Sequence, residues 1–420
     1  MRAARRASGI PWAAFARAAG FGEAYLRNIE NGNRPVTASV AAAYDLVLRT
    51  GGAFSSALAD ARAATANHVP WEGPETTLAV LTELVDGRRV DRRSFIAAGV
   101  ALTASASSWS RAVAQIPTGQ TVVHADDPRL LVHLEDRLDY LRRVDDELGS
   151  GEVYKQAGSE LSLAVRLIKA GRHSDEDLRR LYAIAAEAAR QRAWTAFDQG
   201  HFGIAQRYFD AALRASAEAQ DVITGAYALS FAAIQCYSTG QAQRAVSLLD
   251  TARTQVKGRT TPRMDAMLAA RTARALSKTG AKEQTAHQLH LARAALDKGR
   301  SDDDPKTLYW VDYGEVEMIA GSAALDLGDP AEALRRFAAG MDAYPGDEEY
   351  PRTHAIYLSR AAEAHLVLND LDAAVAAARH AAACLSSVDS ARSASQMKDL
   401  RGKLAPHADY SAVRDFLEAG

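Results

Sequence analysis

The stretch from Gly20 to Pro35, GFGEAYLRNIENGNRP, carries the side chains of this sequence that are best suited to contact another molecule. Three apolar residues in it fall on one face at helical spacing: Phe21, Leu26 and Ile29. The polar or small residues between them would point outward: Glu23, Ala24, Arg27 and Asn28. Such side chains can hydrogen bond base edges in the major groove, and Glu23 could accept from cytosine N4. An acid in a first helical turn also complements the helix dipole, so both roles stay open for Glu23.

The flanking residues predict the helices that would position this stretch. Pro11-Trp12 predicts a helix start, because proline has no N–H to leave unpaired in a first turn. Gly20 predicts the end of that helix, and Asn31-Gly32 predicts the end of the next, which we expect from about Glu23 to Glu30. Thr37 can cap a further helix. That helix repeats apolar residues at helical spacing: Val40, Tyr44 and Val47.

This order of helices and turns resembles the helix-turn-helix of the phage-repressor (XRE-type) family. The residues that carry the resemblance, within residues 1–50, are Ala16, Gly20, Leu26, Ile29, Glu30, Gly32 and Pro35. It implies an N-terminal five-helix-type domain that binds a double-stranded DNA operator as a homodimer, since one short helix buries too little surface for operator affinity. It also implies a set of DNA-contacting residues: Trp12, Arg17, Glu23, Ala24, Tyr25, Arg27, Asn28, Asn31, Asn33 and Arg34. The alternative is a small helical bundle with no role in nucleic-acid binding.

The charge of the chain is unevenly divided. All 420 residues together carry a formal charge of −2, which argues against a protein that binds nucleic acid along its whole surface. Residues 1–50 hold seven arginines and three acidic residues, so this segment carries +4 and the remainder −6. A local basic patch on an acidic body suits a specific DNA-binding head. The length exceeds that of one compact core and predicts two or more units.

Residues 51–127 are expected to form a linker with helical segments. The basic run Arg88–Arg93 predicts a solvated face or a further phosphate contact. Asp91–Ile96, followed by AAGVALTASASS, resembles a twin-arginine export signal. However, the uncharged stretch Ser94–Ser110 is short and serine-rich for a membrane span, and it follows a complete predicted domain. We therefore expect a small-residue helix docked between domains, no membrane partner, and a cytoplasmic protein.

Residues that could support catalysis or hold a metal were also sought. The sequence contains no Walker loop, G-x-S-x-G, HExxH or paired CxxC. His287 and His290 are three apart on a predicted helix but have no third ligand nearby, so packing or surface roles are favoured. Cys236 and Cys384 are far apart in alanine-rich patterns, which predicts buried thiols in a reducing compartment. We expect no metal, no cofactor and no enzymatic activity.

From residue 128 to residue 420 the pattern is helical and repetitive. Leu131, Leu134, Leu138 and Leu141 form an apolar seam, suited either to neighbouring helices or to a second copy across a dimer axis. Five units then align on loop residues separated by 40, 40, 48 and 41 positions: Gly200, Gly240, Gly280, Gly328 and Asn369. Small residues recur seven positions before each loop: Ala193, Ala233, Ala273, Gly321 and Ala362. Others recur twelve positions after it: Ala212, Ala252, Ala292, Gly340 and Ala381. Small side chains at fixed offsets predict closely packed helix pairs.

These offsets resemble tetratricopeptide repeats, with HEAT-like pairs as the minority alternative. The resemblance implies an all-α chain whose C-terminal solenoid, residues 128–420, binds a peptide or protein ligand on a concave face. On the geometry of that family the face would include Arg190, Trp194, Phe197, Asp198, Tyr227, Ile234, Tyr237, Met267, Arg274, Lys278, Met318, Ser322, Asp326, Ser359 and Glu363. Apolar anchors interleaved with charges suit a peptide.

Together the two halves resemble actinobacterial-type XRE regulators with a tetratricopeptide sensor. The architecture is similar to that of the peptide-responsive quorum-sensing regulators of Gram-positive bacteria. We expect a sequence-specific transcription regulator whose solenoid ligand controls operator binding. The alternative is an adaptor protein whose N-terminal bundle is a docking module with little DNA affinity. A third and weaker hypothesis is a membrane tether through residues 94–110.

Overall fold

The computed structural model of the chain describes residues 1–30, 36–55, 58, 71–86, 95–114, 116, 129–171, 173–343 and 350–419. Within these residues the regular structure is helical, apart from one isolated bridge between Gly149 and Asp389, so the predicted all-α class is confirmed. The α-helices of the described residues are α1 (Arg2–Ala7), α2 (Trp12–Ala19), α3 (Glu23–Glu30), α4 (Ala38–Leu48), α5 (Pro74–Val85), α6 (Phe95–Val113), α7 (Arg129–Leu148), α8 (Ser150–Ala170), α9 (Asp175–Asp198), α10 (Phe202–Glu218), α11 (Val222–Ser238), α12 (Ala242–Val256), α13 (Pro262–Ser277), α14 (Lys282–Leu296), α15 (Tyr313–Asp326), α16 (Pro330–Ala343), α17 (Pro351–Val367), α18 (Leu371–Cys384), α19 (Ala391–Leu404) and α20 (Ser411–Glu418). Short 3₁₀ turns are Lys306–Leu308, Leu385–Ser387 and Ala405–His407.

The first four helices pack around an apolar cluster of their own. Its fully buried members are Phe15, Leu26, Val40 and Tyr44. Gly20, with φ of 72°, ends α2 in the left-handed conformation. Thr37 Oγ1 accepts a hydrogen bond from the Val40 N–H at 3.3 Å, which is the predicted N-cap of α4. The packing extends beyond residue 50, because half-buried Phe54 joins the cluster and its N–H donates to the Asp45 carboxylate at 2.8 Å.

Residues 175–384 form five successive helical hairpins, each joined by a loop of three or four residues: α9–α10, α11–α12, α13–α14, α15–α16 and α17–α18. Loops this short make neighbouring helices antiparallel. The five predicted loop residues all lie in these loops and all have positive φ. The four glycines have φ of 78–83°, and Asn369 has φ of 59°. A left-handed residue ends the first helix of each hairpin, and this requirement explains the recurring glycine.

The small residues that recur around these loops lie where the two helices of a hairpin approach each other. The predicted alanines are fully buried, among them Ala193, Ala233 and Ala362. In the α15–α16 hairpin the two glycines are required by space. A Cβ on Gly321 would lie 2.7 Å from the Phe337 ring, and one on Gly340 would lie 2.9 Å from Met318. The recurring small residues therefore mark the positions where the two helices of a hairpin pack closely together.

The helices of the predicted linker pack against the hairpins. Helix α5 contacts α8 and α10, and α6 contacts α10, α11 and α12. Trp109 of α6 is fully buried and donates from its indole N–H to Ser216 Oγ at 3.1 Å. Its ring occupies the space over Gly225, where a Cβ would be 2.4 Å away. Within the described part of the chain, no helix combines the length and the apolar character needed to cross a membrane. The basic run Arg88–Arg93 lies outside the described residues.

Two further predictions about buried residues can be compared with the structure. The four leucines of the α7 seam are buried, and α7 packs on α8, α9 and α17, so this seam is used within the chain. Cys236 and Cys384 are buried and neither forms a disulfide, as predicted. Burial raises the pKa of the Cys236 thiol to about 11, which makes it unreactive at neutral pH.

The two ends of the hairpin stack contact each other. The Ser150 N–H donates to the Asp389 carbonyl at 3.0 Å, and the Asp389 N–H donates to the Leu148 carbonyl at 3.2 Å. Helix α7 contacts α17, and α9 contacts α19. The first helices of the hairpins, together with α19, therefore enclose a central space.

Candidate functional sites

The outer face of α3 is the first candidate surface. Glu23, Ala24 and Arg27 are exposed, whereas Leu26 and Ile29 are buried against the bundle. Arg27 contacts Glu23 at 3.5 Å one turn away, and the two side chains are 63% and 44% exposed. An exposed pair of this kind is worth at most about 1 kcal/mol, so an incoming phosphate or base edge can replace it. Among the described residues, the outer face of α3 is therefore exposed to solvent.

Glu30 fixes the end of α3 in the bundle. Its carboxylate accepts from Arg5 Nε at 2.8 Å, from a second Arg5 nitrogen at 2.9 Å and from the Tyr44 hydroxyl at 2.8 Å. Burial raises the pKa of Glu30, but the hydrogen bonds from Arg5 and Tyr44 outweigh it, so the net pKa lies below its usual value. The carboxylate therefore stays ionised and ties α3 to α1 and α4.

The other predicted DNA-contacting residues surround this face. The Arg5 guanidinium lies 3.8 Å from the centroid of the Trp12 ring, and that of Arg27 lies 5.5 Å from it. Arg17 is exposed, Asn28 is half-buried, and half-buried Tyr25 stacks on Phe21. The Trp12 ring thus lies beside the Arg27 side chain of α3. The remaining three predicted residues lie outside the described residues: Asn31, Asn33 and Arg34.

The surface of the bundle is more basic than its composition suggests. The side chain of Glu30 is only 3% exposed. Asp45 is also buried, and it binds the backbone N–H groups of Phe54 and Ser55 at 2.8 and 2.7 Å. By contrast, five arginines are exposed: Arg2, Arg6, Arg17, Arg27 and Arg49. Of the three acids within residues 1–50, only Glu23 is exposed.

The second candidate site is a cavity of about 1010 Å³ in the space enclosed by the hairpins. An apolar arc comes from α9, α10 and α11: Trp194, Phe197, Phe202, Ile234 and Tyr237. A cationic arc, which we name the cation wall, comes from α13 and the residue that follows it, from α17 and from α19: Arg274, Lys278, Arg360 and Lys403. The two arcs adjoin where the Arg274 guanidinium lies 5.6 Å from the Tyr237 ring centroid.

Four cations share two carboxylates in the cation wall. Asp326 accepts from Arg274, from Lys278 Nζ at 3.0 Å and from Arg360 at 2.6 Å. Glu363 accepts from Arg360 and from Lys403 Nζ, both at 2.9 Å. Burial lowers the pKa of the Lys278 ammonium to about 7, and Arg274 and Arg360 act in the same direction. Burial and Arg360 also lower the pKa of Arg274, to about 10. The wall therefore carries uncompensated positive charge.

A smaller cavity of about 110 Å³ adjoins the larger one. The two share Trp194, Arg271 and Arg352 among their lining residues. Tyr309 and Trp310 line the smaller cavity from the loop between α14 and α15. This loop accounts for the 48-residue interval between the third and fourth loop glycines, against 40 or 41 elsewhere. The extra residues therefore place two aromatic side chains, Tyr309 and Trp310, inside the space enclosed by the hairpins.

A separate charged cluster, which we name the closing network, joins α7, α9, α17 and α19: Asp145, Asp146, Asp198, Arg352 and Arg392. Arg352 donates to Asp145 at 2.6 Å and lies 3.9 Å from Asp198. Arg392 Nε donates to Asp198 at 3.0 Å. Burial raises the pKa of Asp146 to about 6, although Arg352 opposes this shift. The network connects segments about two hundred residues apart in sequence.

The structure brings ten of the fifteen predicted ligand-binding residues to these cavities. Eight line the larger one: Trp194, Phe197, Ile234, Tyr237, Arg274, Lys278, Ser322 and Glu363. Arg190 and Tyr227 line the smaller one. Asp198 and Asp326 lie behind the lining and bind cations that form it. Three are buried in helix packing and line neither cavity: Met267, Met318 and Ser359.

Sequence reasoning missed several lining cations, including Arg271, Arg352, Arg360 and Lys403. On α17 the lining face steps through Arg352, Ile356, Arg360 and Glu363, one position away from the predicted Ser359. Helical spacing alone could not choose between the two faces, because Ser359 and Arg360 lie four and three positions before Glu363. Lys403 had no such signal, because α19 lies outside the five repeats, where it packs on α17 and also contacts α9.

Comparison of the chain with protein-family models and with curated proteins gives no match. Inferences about function therefore depend on the two sites themselves.

Proposed function

We propose that this protein is a sequence-specific DNA-binding transcription regulator. Residues 1–55 form its helix-turn-helix head, and the hairpins form a tetratricopeptide-like solenoid whose central cavity binds a peptide ligand that controls operator binding. The observation that carries the proposal is the outer face of α3. It is exposed, its angle is fixed by Leu26, Ile29 and Glu30, and it lies in a bundle whose exposed charges are mostly arginines.

The arrangement fits major-groove recognition in physical terms. A helix held by buried apolar residues keeps a fixed angle while its outer side chains contact base edges. Arginines around it would neutralise phosphates and release counterions. We propose a homodimer on a two-fold operator, because a single head of this size buries too little surface for operator affinity.

The test is selection from a random library of 30-bp duplexes with the tagged full-length chain, followed by binding to the enriched sequence over a salt series. We expect a shared palindrome and an affinity that falls steeply with salt. Arg27→Ala should weaken binding by about 1–3 kcal/mol if it contacts a base. Arg335→Ala is the matched control, because this arginine is equally exposed, at 67%, but lies on α16 of the solenoid.

An enriched palindrome would also establish the dimer. If no duplex is enriched even at low salt, or if Arg27→Ala and Arg335→Ala behave alike, the regulator proposal fails. The bundle would then be a docking module of an adaptor protein.

A further inference from the structure

The charges that line the larger cavity point to the chemistry of its ligand. Eight lining side chains are cationic and three are carboxylates. Four carboxylates behind the lining, Asp145, Asp146, Asp198 and Asp326, compensate part of this surplus. The remaining positive charge is concentrated at the cation wall, where four cations meet two carboxylates.

Two arginines in the cavity also have unused hydrogen-bonding capacity. Arg271 and Arg360 both line it, and the Nε–H of each is buried without a protein acceptor among the described residues. The Arg271 guanidinium lies 5.0 Å from the Trp310 ring centroid and 5.7 Å from that of Phe231, so aromatic rings hold it in place. A buried donor without an acceptor is costly, and a carboxylate is the acceptor that arginine binds best.

The apolar arc adds a second requirement. Trp194, Phe197, Phe202, Ile234 and Tyr237 give the cavity a surface that favours bulky apolar groups. A volume of about 1010 Å³ lies at the upper end of the roughly 300–1,000 Å³ usual for ligand pockets. A short chain that carries both carboxylates and apolar side chains fits this cavity. Its carboxylates can contact the cation wall, and its apolar side chains can pack on the apolar arc.

We propose that the cavity binds a short acidic peptide, whose carboxylates contact the cation wall and Arg271 and whose apolar side chains pack on the aromatic arc. This inference rests on the proposed role of the cavity as the ligand site, and it specifies the chemical class of that ligand. Peptide carboxylates need not displace Asp326, because it lies behind the lining cations that it binds.

The experiment uses the full-length chain without DNA and two fluorescein-labelled hexapeptide pools. Both pools carry Leu or Phe at three alternating positions. One carries Glu at the other three positions, and the other carries Gln. Binding is measured by fluorescence anisotropy at pH 6, where Glu side chains are ionised. We expect the Glu pool to bind at least tenfold tighter than the Gln pool, with a preference that falls as salt rises.

The variant Lys278→Gln/Lys403→Gln removes the two most exposed cations of the wall, whose side chains are 32% and 51% exposed. We expect it to remain folded and to reduce the Glu-over-Gln preference about tenfold. Arg271→Gln should weaken the Glu pool through a different part of the cavity. Arg335→Gln, on the outer helix α16, should leave the preference unchanged.

Equal binding of the two pools would overturn the acidic-peptide inference, as would unchanged preference in both cavity variants. Binding of ATP or pyrophosphate in place of both pools would also overturn it, because the ligand class would then be a phosphate compound. Each result is distinguishable from failure of the proposed function. DNA binding by the head is measured separately, and preference for the Glu pool without DNA binding would leave this inference standing.

Discussion

The closing network and the cation wall use the same residue types with opposite charge balance. In the closing network three carboxylates meet two arginines: Asp145, Asp146, Asp198, Arg352 and Arg392. In the cation wall four cations meet two carboxylates: Arg274, Lys278, Arg360, Lys403, Asp326 and Glu363. Both clusters border the same cavity, so the difference does not come from their location.

The surplus charge in each cluster behaves as electrostatics requires. Burial raises the pKa of Asp146 to about 6, with Asp145 adding to the shift, so the surplus carboxylate is harder to ionise. Burial, Arg274 and Arg360 lower the pKa of Lys278 to about 7, so the surplus cation is harder to protonate. In the closing network the surplus carboxylate of Asp146 has an internal partner, the Tyr309 hydroxyl, whereas for the surplus cations of the wall we propose an anionic ligand.

The largest expected effect comes from breaking the closing network. Arg352→Met keeps the apolar stem but removes the guanidinium that faces Asp145 and Asp198, whose side chains are only 9% and 0% exposed. Removing one partner of a buried pair leaves uncompensated charge and costs about 3–5 kcal/mol. We expect this loss in the free energy of unfolding measured with urea.

The control is Arg335→Met on α16, where the arginine pairs with Glu332 and is 67% exposed. Surface pairs of this kind contribute between about 0 and 1 kcal/mol, so unfolding should change little. Equal losses in both variants would show that the closing network has no special role in stability.

The difference between the two clusters also explains which features were predictable from sequence. The hairpins were predictable because their signals are local: a left-handed loop residue and small residues at fixed offsets such as Ala233 and Gly321. Two of the four cations of the wall, Arg274 and Lys278, were predicted as ligand-binding residues, as were its two carboxylates, Asp326 and Glu363. The contacts that complete it come from elsewhere in the chain.

The closing network had no comparable signal. Asp145 and Arg352 are 207 residues apart, and their contact depends on the summed curvature of all the intervening hairpins. Local spacing cannot fix that sum, because small differences at each hairpin accumulate along the stack. The same limit applies to the loop with Tyr309 and Trp310. The 48-residue interval showed that this loop is long, but the sequence did not show that the loop lies inside the space enclosed by the hairpins.

An intermediate effect should follow from removing the surplus carboxylate. In Asp146→Asn the amide oxygen can still accept the Tyr309 hydroxyl, but it cannot ionise. The folded pKa of Asp146 is raised from 3.8 to about 6, so the wild-type chain loses stability as the pH rises through that range. The variant should escape this loss. Its unfolding free energy relative to wild type should rise by about 1–2 kcal/mol between pH 4 and pH 7, after allowance for partial exposure.

The measurement is urea unfolding of both chains at half-unit pH steps. Asp250→Asn, a change at an exposed position of α12, reports what an Asp→Asn substitution does at the surface. A relative stability of Asp146→Asn that falls as the pH rises would contradict the prediction, because Asp146 would then be favourably ionised and the closing network would hold no surplus carboxylate.

The smallest effect on stability, with the largest on binding, is expected from Arg360→Met in the cation wall. Asp326 would keep Arg274 and Lys278, and Glu363 would keep Lys403, so neither carboxylate loses all its partners. The unfolding free energy should therefore fall by about 1 kcal/mol or less, against several for Arg352→Met. Affinity for the Glu-containing peptide pool should fall about tenfold, because the variant removes a cation that the fold does not need.

A loss of stability equal to that of Arg352→Met would mean that Asp326 depends on Arg360. The wall would then be a second structural network, and its surplus charge would not be evidence for an anionic ligand.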